Sequence, residues 1–90
     1  MLTRDDNILI GRLMVICTDR NRSLVERFSL AYEVIDTASQ EFCFELHAAV
    51  RRERRACALK GHLRRFHFWH LETLASAIDL RMAAIAEEGL

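Results

Sequence analysis

The chain has 90 residues, of which 51% are apolar, and it carries 13 basic and 13 acidic side chains for a net charge of zero. This length allows one domain at most, and high apolar content with balanced charge excludes intrinsic disorder. Proline is absent and glycine occurs only three times, so few residues interrupt regular structure. The composition predicts a single helical domain over residues 1–90.

The apolar run at 8–17 is the segment that most resembles a targeting or membrane sequence, and it fits neither. It contains a glycine and an arginine, follows acidic residues, and is about half as long as a bilayer span. Cys17, Cys43 and Cys57 are odd in number and lie in apolar stretches, which favours reduced, buried thiols. We therefore expect a cytoplasmic protein without a membrane segment.

The first predicted helix begins after Thr3, where Thr3 and Asp6 have the spacing of a capping box. Apolar side chains then surround the helix axis, as is typical of a buried helix: Ile8, Leu9, Ile10, Leu13, Met14, Val15, Ile16 and Cys17. A short strand is the alternative, since isoleucine and valine favour extended backbone. A helix is favoured because no other segment could pair with such a strand.

A long central helix is predicted from about 23 to 59, opened by a second capping box of Ser23 and Glu26. Apolar residues keep one helical phase throughout, with no glycine or proline between them: Leu24, Phe28, Ala31, Tyr32, Ile35, Phe42, Leu46, Ala49, Val50 and Cys57. A kink near 36–40, with Thr37 capping a separate helix, is the alternative. An unbroken helix would be about 55 Å long. A domain this small could not cover such a rod, which predicts a homodimer.

Lys60 and Gly61 end the central helix, because glycine commonly follows the last helical residue. The last predicted helix runs from about 62 to 88 and is amphipathic. A turn this short folds it back antiparallel against the central helix. The sequence therefore predicts an all-α protein of three helices, in which the long central helix and the last helix form a hairpin within a symmetric dimeric bundle.

Three polar residues fall on the apolar faces of this predicted hairpin, Glu53 on the central helix and His67 and His70 on the last one. The turn between the helices sets a register in which Glu53 lies near 67–70. A carboxylate paired with imidazoles inside a helix interface fixes the register without further chemistry, and this structural role is our prediction. A metal site or an acid–base pair is the alternative, and no cofactor is expected.

Three aromatic residues lie away from the apolar faces, namely Phe44 on the central helix and Phe68 and Trp69 on the flanks of the last one. Isolated aromatic residues on a surface are the simpler interpretation. Three of them out of register in one small chain favour a second apolar contact surface. That surface adds to the expectation that the protein binds a partner.

Positive charge is concentrated in 51–65, whose basic residues are Arg51, Arg52, Arg54, Arg55, Lys60, Arg64 and Arg65. With Glu53 as its single acidic residue, this stretch has a net charge of +6, and the rest of the chain has −6. The four arginines of 51–55 are predicted to cover the helix side opposite the core. A solvated helix surface, a site for an acidic protein and a site for nucleic-acid phosphates remain three interpretations.

No catalytic constellation accompanies these features. The sequence has no glycine-rich phosphate loop and no serine or cysteine beside a base, and only Arg81 is predicted to be an inward-pointing cation. We therefore expect a small regulatory or adaptor protein of the inhibitor, anti-activator, antitoxin or chaperone kind, and not an enzyme. Its predicted partner-binding residues are Phe44, Arg51, Arg52, Arg54, Arg55, Arg64, Arg65, Phe68 and Trp69. Nucleic-acid binding through 51–65 is the alternative.

Overall fold

The computed structural model describes residues 2–19, 21–59 and 65–89, without the side chains of residues 24, 57–59 and 65–69. The described residues form four helices and no strand: α1 (Arg4–Thr18), α2 (Leu24–Asp36), α3 (Gln40–Leu59) and α4 (Arg65–Glu88). The all-α prediction is confirmed, but this part of the chain has four helices where three were predicted. None of the four is long and apolar enough to cross a membrane.

Helix α1 begins as predicted but is buried on one side only. The Thr3 hydroxyl accepts a hydrogen bond from the Asp6 amide at 3.1 Å, and the Asp6 carboxylate accepts one from the Thr3 amide. Ile8 and Val15 are exposed, which corrects the prediction of a helix buried all round. Full burial is confined to the stripe that faces the rest of the bundle: Ile10, Leu13 and Cys17.

The predicted central helix is two helices, which is the main correction that the structure makes. Helix α2 ends at Asp36 and α3 begins at Gln40, so a corner of three residues separates them. Ser39, rather than Thr37, caps α3, because its hydroxyl accepts a hydrogen bond from the Phe42 amide at 3.2 Å. The apolar residues keep the same helical spacing across the corner because this spacing depends on which side of each helix faces the core. It does not depend on the direction of the helix axis.

A side chain of α4 holds this corner in place. The Arg81 guanidinium donates a hydrogen bond from Nε to the carbonyl oxygen of Ala38 at 3.1 Å. Carbonyl groups near the end of a helix lack partners within it, and a charged donor satisfies one of them here. Arg81, which the sequence predicts to point inward, therefore has a structural role.

Helices α3 and α4 pack antiparallel, as predicted. Arg54 of α3 donates a hydrogen bond to Glu72 of α4 at 3.1 Å. His47 Nε2 lies 3.3 Å from the carboxylate of Asp79. Later positions on α3 thus meet earlier positions on α4, which fixes the opposite directions of the two helices.

The first two helices complete a bundle with this hairpin. The Cys17 thiol donates to the Arg27 carbonyl oxygen at 3.5 Å, which sets α1 antiparallel to α2. The rings of Phe28 and His70 lie 5.0 Å apart, and this pair together with the Arg81 contact at the corner shows that α2 runs parallel to α4. Around the bundle the helices follow the order α1, α2, α4, α3, and the whole measures 42 × 23 × 23 Å. The described helices form an up-down-up-down four-helix bundle.

One apolar core fills the bundle, and all four helices contribute to it. Its buried side chains are Ile10, Leu13, Cys17, Phe28, Ala31, Ile35, Ala38, Phe42, Cys43, Leu46, Ala49, Val50, Leu71, Leu74, Ala75 and Ile78. Because the corner folds the range 23–59 back on itself, a single chain covers the apolar sides of both α2 and α3. The expectation that a partner must cover a long rod does not hold, and self-association needs another basis.

Candidate functional site

Three of the predicted partner-binding residues share one outward face of α3, which we call the outer stripe: Phe44, Arg51 and Arg55. Their spacing along the chain places them on the same side of a helix. All three side chains are exposed, and Phe44 is 64% exposed. The outer stripe therefore carries an aromatic ring and, about 10 Å further along the helix, the first of two guanidinium groups.

The other two arginines of the cluster lie on the two flanks of the outer stripe, so the four are spread across the side predicted to carry them. Arg52 lines a groove between α1 and α3. Arg54 Nη2 donates to Glu72 Oε1 at 3.1 Å across the contact between α3 and α4. Adjacent helical residues are rotated by about 100°, so a run of neighbouring arginines fans out around the helix.

Phe44 also forms part of a groove at the end of the bundle where α3 begins, which we call the Phe44 groove. Its volume is about 420 Å³, and its lining residues are Leu2, Gln40, Glu41, Phe44, Glu45 and Met82. Apolar side chains from near both ends of the chain thus meet an aromatic ring beside two acidic residues. A concave apolar surface with an exposed aromatic is the arrangement in which interfaces place their anchor residues.

The remaining predicted residues of this surface lie beyond what the structure describes. Lys60 and Arg64 are outside the described residues, as are the side chains of Arg65, Phe68 and Trp69. The backbone of the last three belongs to the first turns of α4. Their part in a contact surface stays a prediction.

Two of the three polar residues predicted to meet inside the hairpin have described side chains. Glu53 is half-buried and lines the groove between α1 and α3. His70 is 7% exposed, and its ring packs against Phe28 of α2. The side chain of His67 lies outside the described residues, so the convergence of the three stays a prediction.

The register of the hairpin differs from the expected one. Arg54 meets Glu72, which places residue 53 level with about residue 73, about one turn further along α4 than the predicted 67–70. Within the described part of the chain, no group of three or more histidine, cysteine, aspartate or glutamate side chains could hold a metal ion.

The fold gathers opposite charges at the two ends of the bundle. The acidic end, where α1 and α3 begin and α2 and α4 finish, holds two arginines, Arg4 and Arg81, and nine acidic residues: Asp5, Asp6, Glu33, Asp36, Glu41, Glu45, Asp79, Glu87 and Glu88. At the basic end the described charged residues are Arg12, Arg22, Arg27, Arg51, Arg52, Arg54, Arg55, Asp19, Glu26, Glu53 and Glu72. Divided at the level of Gly11 and Ala49, the described residues give a formal charge of −7 in the half that includes the acidic end and +3 in the half that includes the basic end.

The two described thiols have the character of core side chains. Cys17 and Cys43 are 1% and 0% exposed. Burial raises the pKa of the Cys17 thiol to about 11, although the positive charge of Arg27 opposes the change. Burial likewise raises the pKa of Cys43, against the charge of Arg81. Both thiols are therefore protonated at neutral pH, a state with little nucleophilic reactivity.

Sequence reasoning identified Phe44 but missed the rest of its groove. Leu2 and Met82 come from opposite ends of the chain, and only the parallel packing of α1 on α3 and the antiparallel packing of α4 bring them together. The one feature of the sequence that indicated its acidic border is the pair Glu41 and Glu45, which lie on either side of Phe44 in the chain.

The chain matches no known protein family, no curated protein and no solved structure.

Proposed function

We propose that this protein is a small regulatory or adaptor protein that acts by binding another protein, of the inhibitor, anti-activator, antitoxin or chaperone kind, and that it is not an enzyme. The observation that supports this most directly is the exposed Phe44 ring beside an apolar groove. Burying an aromatic side chain of this size contributes strongly to binding, and a few such anchors dominate most protein interfaces.

The outer stripe indicates the chemistry of the partner. Arg51 and Arg55 lie on the same face as Phe44, so a segment laid along α3 meets the ring first and the two guanidinium groups next. The matching segment presents an apolar side chain to Phe44 and carboxylates to the arginines. Complementary charge of this kind mainly sets partner choice and association rate.

Affinity purification from the native host, with each co-purified protein quantified against the bait, tests this proposal. We expect a stoichiometric partner that Phe44→Ser loses and that the double variant Arg51→Glu/Arg55→Glu weakens. The matched control is Leu80→Ser, because Leu80 is 73% exposed on α4 and does not line the Phe44 groove. A partner that both serine variants retain equally, or the absence of any stoichiometric protein, would count against the proposal.

Nucleic-acid binding through the basic stretch 51–65 is the second candidate. The exposed side chains of Arg51, Arg52 and Arg55 favour it, since cations at helical spacing can follow a phosphate backbone. Fluorescence anisotropy with random duplex DNA and single-stranded RNA, at about 50 mM salt, should show binding that weakens steeply as salt rises. No binding at low salt, or binding that survives Arg51→Glu/Arg55→Glu, would remove this candidate.

We also propose that the protein forms a homodimer and works in the cytoplasm. The exposed side chains of Ile8 and Val15 support self-association, because both are apolar and lie together on the outward side of α1. The unpaired, buried thiols of Cys17 and Cys43 support a reducing compartment. Sedimentation equilibrium at concentrations up to about 200 µM tests the dimer, and a chain that remains monomeric throughout would contradict it.

A further inference from the structure

We propose that a second copy of this chain docks antiparallel on the face formed by α1 and α3, about a two-fold axis at the level of Gly11 and Ala49. This inference rests on the proposed homodimer and names its surface. The face is a groove of about 480 Å³ between two parallel helices. It is separate from the outer stripe, which points away from α1.

The middle of the groove allows close approach of a partner. Three of its nine lining residues are small, namely Gly11, Ala49 and Ala56. Gly11 is exposed, and a Cβ atom at this position would meet no heavy atom within 4 Å. Small residues at a helix crossing let two backbones come close together, and a two-fold axis is where such an approach is closest.

The exposed side of α1 is complementary to itself in an antiparallel arrangement. Ile8, Gly11 and Val15 follow one another at steps of three and four residues, which places them on one face of the helix. Reversing this face about Gly11 sets Ile8, 47% exposed, against the partner's Val15, which is 68% exposed.

Helix α3 repeats this complementarity about the same level. Glu45 and Arg52 are exposed and line the groove on either side of Ala49. They lie about 10 Å apart along the helix, too far to pair within one chain. An antiparallel second copy brings Glu45 opposite the partner's Arg52, and Arg52 opposite the partner's Glu45. The exposed apolar pair on α1 and the charged pair on α3 are thus centred on one axis, and this supports a second copy as the occupant.

The charges of the whole bundle favour the same arrangement. In an antiparallel dimer the acidic end of one copy lies beside the basic end of the other, so charges of −7 and +3 attract. Helices α1 and α3 run side by side for about 22 Å, the length of α1, at a spacing of about 9 Å, and offer on the order of 500 Å² per copy. The total of about 1,000 Å² is at the lower limit for a specific interface. We therefore expect a dimer with a dissociation constant in the micromolar range.

A charge-swap series measured by sedimentation equilibrium tests the proposal on the full chain. We expect Glu45→Arg and Arg52→Glu each to weaken the dimer at least about tenfold, because each brings like charges together across the axis. The double variant Glu45→Arg/Arg52→Glu restores the opposite pairing and should return the dissociation constant to within about threefold of wild type. Arg51→Glu is the control, since Arg51 is exposed on the outer stripe.

Gly11→Leu supplies a second test that a folding defect cannot explain. The open space at Gly11 accommodates the new side chain within one chain, and replacing a helical glycine raises helix propensity. We expect the dimer to weaken at least about tenfold without a lower melting temperature of the monomer, because the side chain occupies the axis.

Each outcome bears on the proposal. A wild-type chain that remains monomeric at about 200 µM would overturn both the homodimer and this face, and would leave binding at Phe44 untouched. A dimer that the charge reversals and Gly11→Leu do not weaken would keep self-association but overturn the face. Failure of the swapped pair to recover, or equal weakening by Arg51→Glu, would overturn the antiparallel pairing.

Discussion

The two ends of the bundle differ in how the chain builds them. The basic end is visible in the sequence, because four of its arginines lie within 51–55. The acidic end collects its carboxylates from separate segments of the chain, which become neighbours only in the folded bundle. It also holds the hydrogen bond from Arg81 to the Ala38 carbonyl, whereas the cross-helix pair Arg54–Glu72 at the basic end has side chains 35% and 50% exposed. The run of arginines thus predicts where positive charge accumulates, whereas the hydrogen bond between Arg81 and Ala38 joins distant segments of the chain and stabilises the fold.

Replacing Arg81 at the acidic end should have the largest effect on stability. Arg81→Met keeps the apolar stem but leaves the Ala38 carbonyl oxygen without its charged donor. We expect the free energy of unfolding to fall by about 2–3 kcal/mol, measured by urea denaturation. Arg81→Lys retains a cation and should lose less. A loss of less than about 0.5 kcal/mol would show that the corner does not depend on this hydrogen bond.

The Cys17 thiol, nearer the basic end, should make stability fall at alkaline pH. Burial raises the pKa of the folded-state thiol to about 11 from an ordinary value of 9.0, so the folded chain holds this proton more tightly than the unfolded chain does. The thiol therefore stabilises the fold fully below pH 9.0, the ordinary pKa. This stabilisation, on the order of 2 kcal/mol, is lost as the pH rises through about 11, the pKa in the folded state. The unfolding free energy of wild type minus that of Cys17→Ala should decrease across this window, and a flat difference would contradict the assignment.

Removing the helix caps should affect the two ends about equally. The Ser39 hydroxyl accepts a hydrogen bond from the Phe42 amide at the acidic end, and the Ser23 hydroxyl accepts one from the Glu26 amide near the basic end. Ser39→Ala and Ser23→Ala should each lower the free energy of unfolding by about 1 kcal/mol. Ser39→Asp should be nearly neutral, since aspartate also caps. A neutral Ser39→Ala would indicate that the Arg81 contact alone sets the corner.

Breaking the exposed pair at the basic end should have the smallest effect. Arg54 and Glu72 are both partly solvated, so water competes with their hydrogen bond and salt screens it. A double-mutant cycle with Arg54→Met and Glu72→Gln should give a coupling energy of about 0.5 kcal/mol or less. Raising the salt concentration should reduce it further. A coupling energy as large as the loss of unfolding free energy expected for Arg81→Met would contradict the expected difference between the two ends.

The sequence predicts the parts of this fold that depend on local patterns. The all-α class, the capping box of Thr3 and Asp6, and the start of a helix after Ser23 all follow from residues a few positions apart. The antiparallel packing of the last two helices follows from a short connection. These features need no knowledge of distant segments, which is why they could be predicted.

The corner between α2 and α3 could not be predicted in the same way. Ser39 is a good cap, but the same residue is tolerated inside a helix, and the apolar phase on both sides agrees with either structure. The corner is also stabilised by the Arg81 guanidinium, more than forty positions later in the chain, which donates a hydrogen bond to the Ala38 carbonyl oxygen. The Phe44 groove could not be predicted for the same reason, since Leu2 and Met82, which complete it, lie near opposite ends of the chain.

The connection order of the four helices also has a consequence for how quickly the chain folds. The pair α1 and α2 and the pair α3 and α4 are each contiguous in sequence, so each pair can form before it meets the other. The remaining step docks the two pairs by bending at the three residues of the corner. Helical bundles dominated by such local contacts fold in about microseconds to milliseconds. A stopped-flow or temperature-jump experiment should therefore find fast, single-exponential refolding.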